Sequence, residues 1–183
     1  MRVRHGFTII EMLVVLVIIG VMMSTLMPLI SKRRTVVNWE SVGDRLNEMA
    51  LFIRAEAMST HKTYRFVFQH SHETVQDQIF LEEEYIDPEK PNQHSYRDVT
   101  SYYAPTRYEL PPEYKLRAVY VGKENTLPEP RGQAYCFIIP DGLMQPVIVH
   151  LVKKEDKAES LVSYQLNPFL GKFALHEGKV KPE

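Results

Sequence analysis

From Phe7 to Ile30 the chain runs 24 residues with a single charged side chain, Glu11, and this run constrains the fold more than any other feature. As a helix it spans about 36 Å, more than the roughly 30 Å of a bilayer's hydrocarbon core. The leader before it, MRVRHG, is basic, and SKRR follows it. The run is longer than the roughly 7–15 apolar residues of a removable secretory signal, and no A-x-A-like cleavage site lies just beyond it. It therefore reads as a retained anchor. Charge alone leaves its orientation nearly tied, with Arg2 and Arg4 on one side and Lys32, Arg33 and Arg34 on the other. The basic trio reads as headgroup-level cations snorkelling to lipid phosphates, well ahead of DNA contact.

Glu11 is the anomaly. An ionised carboxylate in the apolar phase costs several kcal/mol, so an acid at membrane depth is a functional candidate by default. The bland alternative is a shallow position near the interface. A cut after Gly6 changes the balance, because it creates an α-amine on Phe7 one helical turn from Glu11. That amine can pair with Glu11 of the same or a neighbouring chain. Pairing between neighbours makes the anchor a device for assembly.

RHG-FTIIEMLVVLVIIGVMM resembles the prepilin-type N-terminus of type IV pilins and type II secretion pseudopilins. The resemblance implies cleavage between Gly6 and Phe7 by a membrane aspartyl prepilin peptidase on the cytoplasmic side, then N-methylation of Phe7. It implies that Glu11, fifth after the cut, sets subunit registration in a filament. Pro28 matches a proline common in such anchors, where the helix can locally melt; an interior proline costs about 3 kcal/mol unless accommodated.

The chain as a whole is ordinary for a folded protein: 44% hydrophobic, 25% charged, net charge -1. Disorder, a collagen repeat and a multi-span membrane protein are excluded, and no broad nucleic-acid footprint is expected. About 150 residues remain beyond the anchor, enough for one globular domain. Cys136 is the only cysteine, so no intrachain disulfide can form, and AYCFII places it as a small residue in a buried strand.

Val36, Trp39, Val42, Leu46, Met49, Ile53 and Ala57 recur at three- and four-residue steps, one apolar stripe of an amphipathic helix. Anchor and stripe together predict one long helix, softened around Pro28 and Gly43. Trp39 suits a membrane interface or, more commonly, packing on a sheet. From residue 61 the period changes to two. TYRFVFQ puts Tyr64, Phe66 and Phe68 on one face of a strand, with TVQDQIFLEE as its partner. Residues 85–114, rich in proline and tyrosine, read as a long irregular loop, either a specific surface or a poorly ordered excursion. Strand-like runs return at KLRAVYV, AYCFII, PVIVHLV, LVSYQL and GKFAL, with a turn at IPDGLMQP. The expectation is α+β: a long N-terminal helix, half in the membrane and half amphipathic, packed on an antiparallel β-sheet. Its parts are a leader at 1–6, a membrane half at 7–30, an amphipathic half at 31–60 and a β-rich domain at 61–183.

YELPPEYKLRAVYV, CFIIPDGLMQPVIVHLV and SYQLNPFLGKFAL resemble, in order, the C-terminal pattern of pseudopilin H and related minor pilins. The resemblance implies a pilin-like fold. It also implies a minor subunit at or near the tip of the periplasmic pseudopilus of a type II secretion system. Residues 70–107 match no such pattern. Major pseudopilins bind calcium through an Asp-rich C-terminal loop, whereas here no aspartate follows Asp156. That departure points away from the bulk filament subunit. The implied partners are other pseudopilins or pilins, prepilin peptidase, an inner-membrane assembly platform and membrane lipid. The implied location is the bacterial inner membrane, single-pass, with the N-terminus cytoplasmic and the C-terminal domain periplasmic. A minor type IV pilin of a surface pilus, in adhesion, motility or DNA uptake, is the alternative. A membrane-tethered enzyme or metal-binding module is more remote.

Little in the sequence suggests chemistry. QHSHE offers His70, His72 and Glu73, which read as solvated turn residues before they read as zinc ligands. Glu82, Glu83 and Glu84 read as a wet strand end. There is no phosphate-cradling glycine loop, CxxC pair or G-x-S-x-G elbow. The expectation is a non-enzyme with no catalytic residues, metal or cofactor, whose associated catalysis acts upon it at Gly6.

Overall fold

A computed structural model of the 183-residue chain describes residues 9–31, 39–71, 76–89, 93–127, 132–154 and 159–182. At residues 20, 23–31, 154 and 159 it describes the backbone alone. The chain divides into two units, one up to residue 38 and one from Trp39 onward.

The first unit holds α1 (Ile9–Ser31), 23 residues of helix whose apolar side chains lie all round the axis. That is the pattern of a helix meant to be surrounded by hydrocarbon or by other helices, not laid on a globular core. Pro28 falls inside α1, which continues to Ser31. Among the described residues no helix is long and apolar enough to cross a membrane. The residues that join anchor and stripe, including Lys32, Arg33, Arg34 and Val36, lie outside the described residues, as does any continuity of one long helix.

The second unit is α+β. Helix α2 (Trp39–Thr60) buries Val42, Leu46, Met49, Ile53 and Ala57 of the expected stripe, with Ala50 beside them, while Trp39 is half-buried. Gly43, expected to soften it, does not interrupt it. Gly43 is buried, and a Cβ there would stand 3.1 Å from Cε1 of Tyr164. The absent side chain admits a tyrosine ring to the helix backbone, and the roughly 1 kcal/mol of helix propensity that glycine gives up is the cost of that approach.

Among the described residues ten strands follow: β1 (Tyr64–His70), β2 (Gln78–Ile86), β3 (His94–Asp98), β4 (Arg107–Glu109), β5 (Tyr114–Val121), β6 (Glu124–Asn125), β7 (Gly132–Ile138), β8 (Val147–Lys154), β9 (Glu159–Asn167) and β10 (Lys172–Glu177). They form two antiparallel sheets where one was expected. The first has the order β3-β2-β1-β7, with β4 also on β2; the second runs β10-β9-β8-β5-β6. α2 lies against β7 of the first and β10 of the second. The core between them includes Phe66 and Phe68, stacked at 5.9 Å, and Phe66 meets Phe173 edge-on at 6.1 Å across the sheets. Val67, on the opposite face of β1, is also fully buried, so this strand is covered on both sides.

Residues 85–114 are not one irregular loop. They contain β3 and β4, both paired with β2, and the ends of β2 and β5. Neither short strand has a clean apolar alternation; backbone ladders to β2 hold them, and polar side chains add surface pairs. Arg97 Nε bonds Glu83 Oε1 at 2.6 Å, and Arg107 bonds Asp98 Oδ2 at 2.6 Å and Gln78 Oε1 at 2.7 Å. The turn at Pro140–Gly142 forms as expected: Gly142 has φ +78 and donates its N–H to Ile139 O at 2.9 Å.

Candidate functional site

The residues that the sequence marks for processing, Gly6 and Phe7, lie outside the described residues. Glu11 sits in the first turn of α1 and is exposed. Around it Ile9, Ile10, Met12, Leu13, Val14 and Val15 are also exposed, so this end of α1 presents a carboxylate in an apolar surface. Such a group is stable at membrane depth only with a compensating positive charge or donor.

In the second unit the notable acid is one the sequence reading passed over. Asp77 is 3% exposed, and its carboxylate accepts N–H groups from Ser71 at 2.8 Å and Leu116 at 2.7 Å. The Nδ1 of His70 lies 3.3 Å from Oδ2, and the carbonyl of Asp77 accepts the N–H of Leu110 at 2.9 Å. Leu116 borders a register shift between β5 and β8, the kind of irregularity that re-aims a backbone N–H. Asp77 therefore ties the first sheet to the second. His70 serves this tie. His72 and Glu73 lie outside the described residues, and among the described residues no group of three His, Cys, Asp or Glu could hold a metal ion.

Glu82, Glu83 and Glu84 are not a wet strand end. They sit mid-strand between β1 and β3, each partly covered and each paired. Glu82 bonds Arg65 at 2.6 Å, and the Arg65 guanidinium lies 3.8 Å from the ring centre of Tyr96 and 4.1 Å from that of Tyr135. Glu83 takes Arg97 and Lys62, and Glu84 takes His94. Partial burial pushes the Glu84 carboxyl upward, but hydrogen bonds from His94 and Thr63 and the charge of His94 outweigh it and hold the group below its ordinary range. These carboxylates are spent on structure.

Cys136 is fully buried on β7, with its Sγ 3.4 Å from Gln145 O, and burial pushes its thiol up to about 12. It is an inert core residue. Trp39 packs edge-on against Tyr114 at 4.7 Å, and its carbonyl accepts the Tyr164 hydroxyl at 2.5 Å. Of its two uses, packing on the sheet is the one observed.

Residues 1–27 match a family described as the prokaryotic N-terminal methylation motif. The match covers the basic leader, Gly6, Phe7 and Glu11, and ends one residue short of Pro28. Two solved structures of one protein, the minor pseudopilin EpsH from the type 2 secretion system of Vibrio cholerae, resemble the chain. One aligns with a TM-score of 0.49 at 10% identity, over 75% of this chain and 95% of that one. The other aligns with a TM-score of 0.44 at 12% identity, over 76% and 99%. No curated protein sequence matches the chain.

Proposed function

We propose that this chain is a minor pseudopilin: a structural subunit at or near the tip of a short periplasmic filament in a type II secretion machine. The observation that carries the reading is the match of residues 1–27 to the N-terminal methylation motif, which takes in Gly6, Phe7 and Glu11 together. In this reading prepilin peptidase cuts between Gly6 and Phe7, and the new Phe7 amine is methylated. α1 spans the inner membrane with its N-terminus cytoplasmic. Glu11 pairs with the Phe7 amine of a neighbouring subunit, so that its desolvation cost in lipid favours leaving the bilayer for a bundle of anchors. Pro28 lacks an N–H and leaves a carbonyl open one turn earlier, so the helix can loosen there as subunits pack. The second unit faces outward and meets neighbouring subunits; the pairings of Glu82, Glu83 and Glu84 fit a scaffold and not a reaction site.

The test is the extracellular proteome of a deletion strain against one complemented with the intact gene. Loss of a defined set of secreted proteins, retained in the periplasm, is the expected result. Normal secretion with lost surface attachment, motility or DNA uptake transfers the chain to a surface pilus.

A further inference from the structure

Six large apolar side chains gather at one corner of the second unit, where α2 meets the turn between β7 and β8 and the turn between β9 and β10. Leu51 and Met58 project from α2, Ile139 and Leu143 from the first turn, and Phe169 and Leu170 from the second; each is 41–69% exposed. Leu51 and Met58 are seven residues apart, two turns along one side of α2 outside the buried stripe, the side on which Gly142 approaches Met58. Together the six present an apolar area on the order of 400 Å², within the range where surface patches mark interaction sites.

The corner is built rigidly. Asn167 Oδ1 accepts the N–H groups of Phe169 at 3.0 Å and Leu170 at 3.1 Å, which fixes the backbone of both residues at the tip of the turn. Met144 N donates to Pro168 O at 3.3 Å, joining the two turns. Gly171 and Gly142, both at positive φ, let the turns close onto α2: a Cβ at Gly171 would stand 3.1 Å from Arg54 Cδ, and one at Gly142 2.8 Å from Met58 Sδ. Turn backbone so fixed needs no ordering on docking.

Arg54 lies at the centre. Its Nη1 donates to Leu170 O at 3.1 Å, while its Nε is buried with no hydrogen-bond partner among the described residues, and it makes no ion pair with them. Arg54 is partly exposed and its Nη1 contact with Leu170 lies at the surface, so the guanidinium charge, not the enclosed Nε, is what a partner can reach.

The geometry points to a docking surface for a partner protein that sets an Asp or Glu carboxylate against Arg54 and covers Phe169, Leu170 and Met58 with apolar side chains. Charge complementarity selects the carboxylate. A lone guanidinium in an apolar ring does not suit an anionic membrane, which is recognised by clusters of about four to eight cations. The area is about half of one partner's share of a standard interface, so it suits a partner already held nearby by another attachment. This inference does not depend on the secretion reading, since the partner is defined by its chemistry.

The experiment places the photoreactive residue benzoylphenylalanine at Phe169 of the full-length chain in its native membrane and maps the adducts by mass spectrometry. The expected adduct is with one other protein, at an apolar segment carrying Asp or Glu within a helical turn of the attachment point. Arg54→Gln lowers the yield about tenfold, and Arg54→Lys restores part of it. Leu143→Ser, which leaves Arg54 in place, lowers the yield at least threefold. Arg54→Glu abolishes the adduct, and reversing the partner's acid to Arg returns it. Adducts with lipid only, with a second copy of this chain only, or scattered over many proteins overturn the inference, as does an unchanged yield in Arg54→Gln or Leu143→Ser. A single partner with no membrane attachment supports the inference and counts instead against the filament reading.

Discussion

Asn47 of α2 brackets the backbone of Phe173 on β10: its Oδ1 accepts the Phe173 N–H at 2.6 Å, and its Nδ2 donates to the Phe173 carbonyl at 3.3 Å. The side-chain amide takes the place of a neighbouring strand at the edge of the second sheet, where unpaired backbone groups are a liability. Asn47→Ala removes both bonds and is expected to cost about 1–2 kcal/mol in chemical denaturation. Asn47→Asp keeps the acceptor but sets a carboxylate oxygen against the Phe173 carbonyl, so at neutral pH it is expected to cost at least as much. Unchanged stability in Asn47→Ala would show that the bracket contributes nothing.

Asp77 joins the two sheets through the Leu116 N–H. Asp77→Ala leaves the N–H groups of Ser71 and Leu116 without their acceptor, and a loss of about 2–4 kcal/mol is expected from two such groups. Asp77→Asn retains one acceptor oxygen and should recover part of it. Calorimetric unfolding of the two variants side by side gives the comparison.

Gly43 sets how closely Tyr164 approaches α2. Gly43→Ala gains about 1 kcal/mol of helix propensity but must push the ring back by a few tenths of an ångström, so a change near zero is expected. Gly43→Val adds bulk that Tyr164, held through its hydroxyl by Trp39 O, cannot escape, and a loss of about 2 kcal/mol or more is expected. A stabilised Gly43→Val variant would refute the close approach.

His150 is 1% exposed on β8, with its Nε2 3.0 Å from Val180 O and its ring beside Tyr120. Burial, with the charge of Lys179, lowers its basicity below the ordinary 6.5, against the opposing pull of the Val180 carbonyl. The native state therefore prefers the neutral ring. Above pH 6.5 the ring is neutral in both native and unfolded chains, and its contribution is fully present. As pH falls below 6.5 the unfolded chain takes up the proton first, and stability drops until the lower native value is passed. His150→Gln should flatten that part of the stability–pH curve in denaturant titrations.

What the sequence made legible follows the strength of local periodicity. The α2 stripe, the Tyr64–Phe66–Phe68 face and the Pro140–Gly142 turn are each encoded within a few residues. β3 and β4 were not legible, because each is short, lacks apolar alternation and is placed by backbone pairing with β2 rather than by any local pattern. Asp77 carried no signal, since its decisive donor, Leu116, lies 39 positions along the chain. The division into two sheets rests on pairings between distant strands such as β1 with β7, which no local pattern announces. The six apolar side chains around Arg54 are likewise scattered through the sequence from Leu51 to Leu170.

Glu11→Gln keeps the shape of the side chain and removes its charge. The variant is expected to be inserted and cut as usual, while its incorporation into filaments falls about tenfold or more, as for a buried pair deprived of one partner. Quantitative immunoblotting of sheared filament fractions against membrane fractions measures it. Undiminished incorporation removes Glu11 from subunit registration.

The most direct test of the central claim is the intact mass of the protein purified from its own membrane. A chain that begins at Phe7 and carries one added methyl group on its amine is the expected result, with Gly6→Ala or a bulkier residue there leaving a precursor six residues longer. A wild-type chain still beginning at Met1, or cut anywhere other than between Gly6 and Phe7, would contradict it.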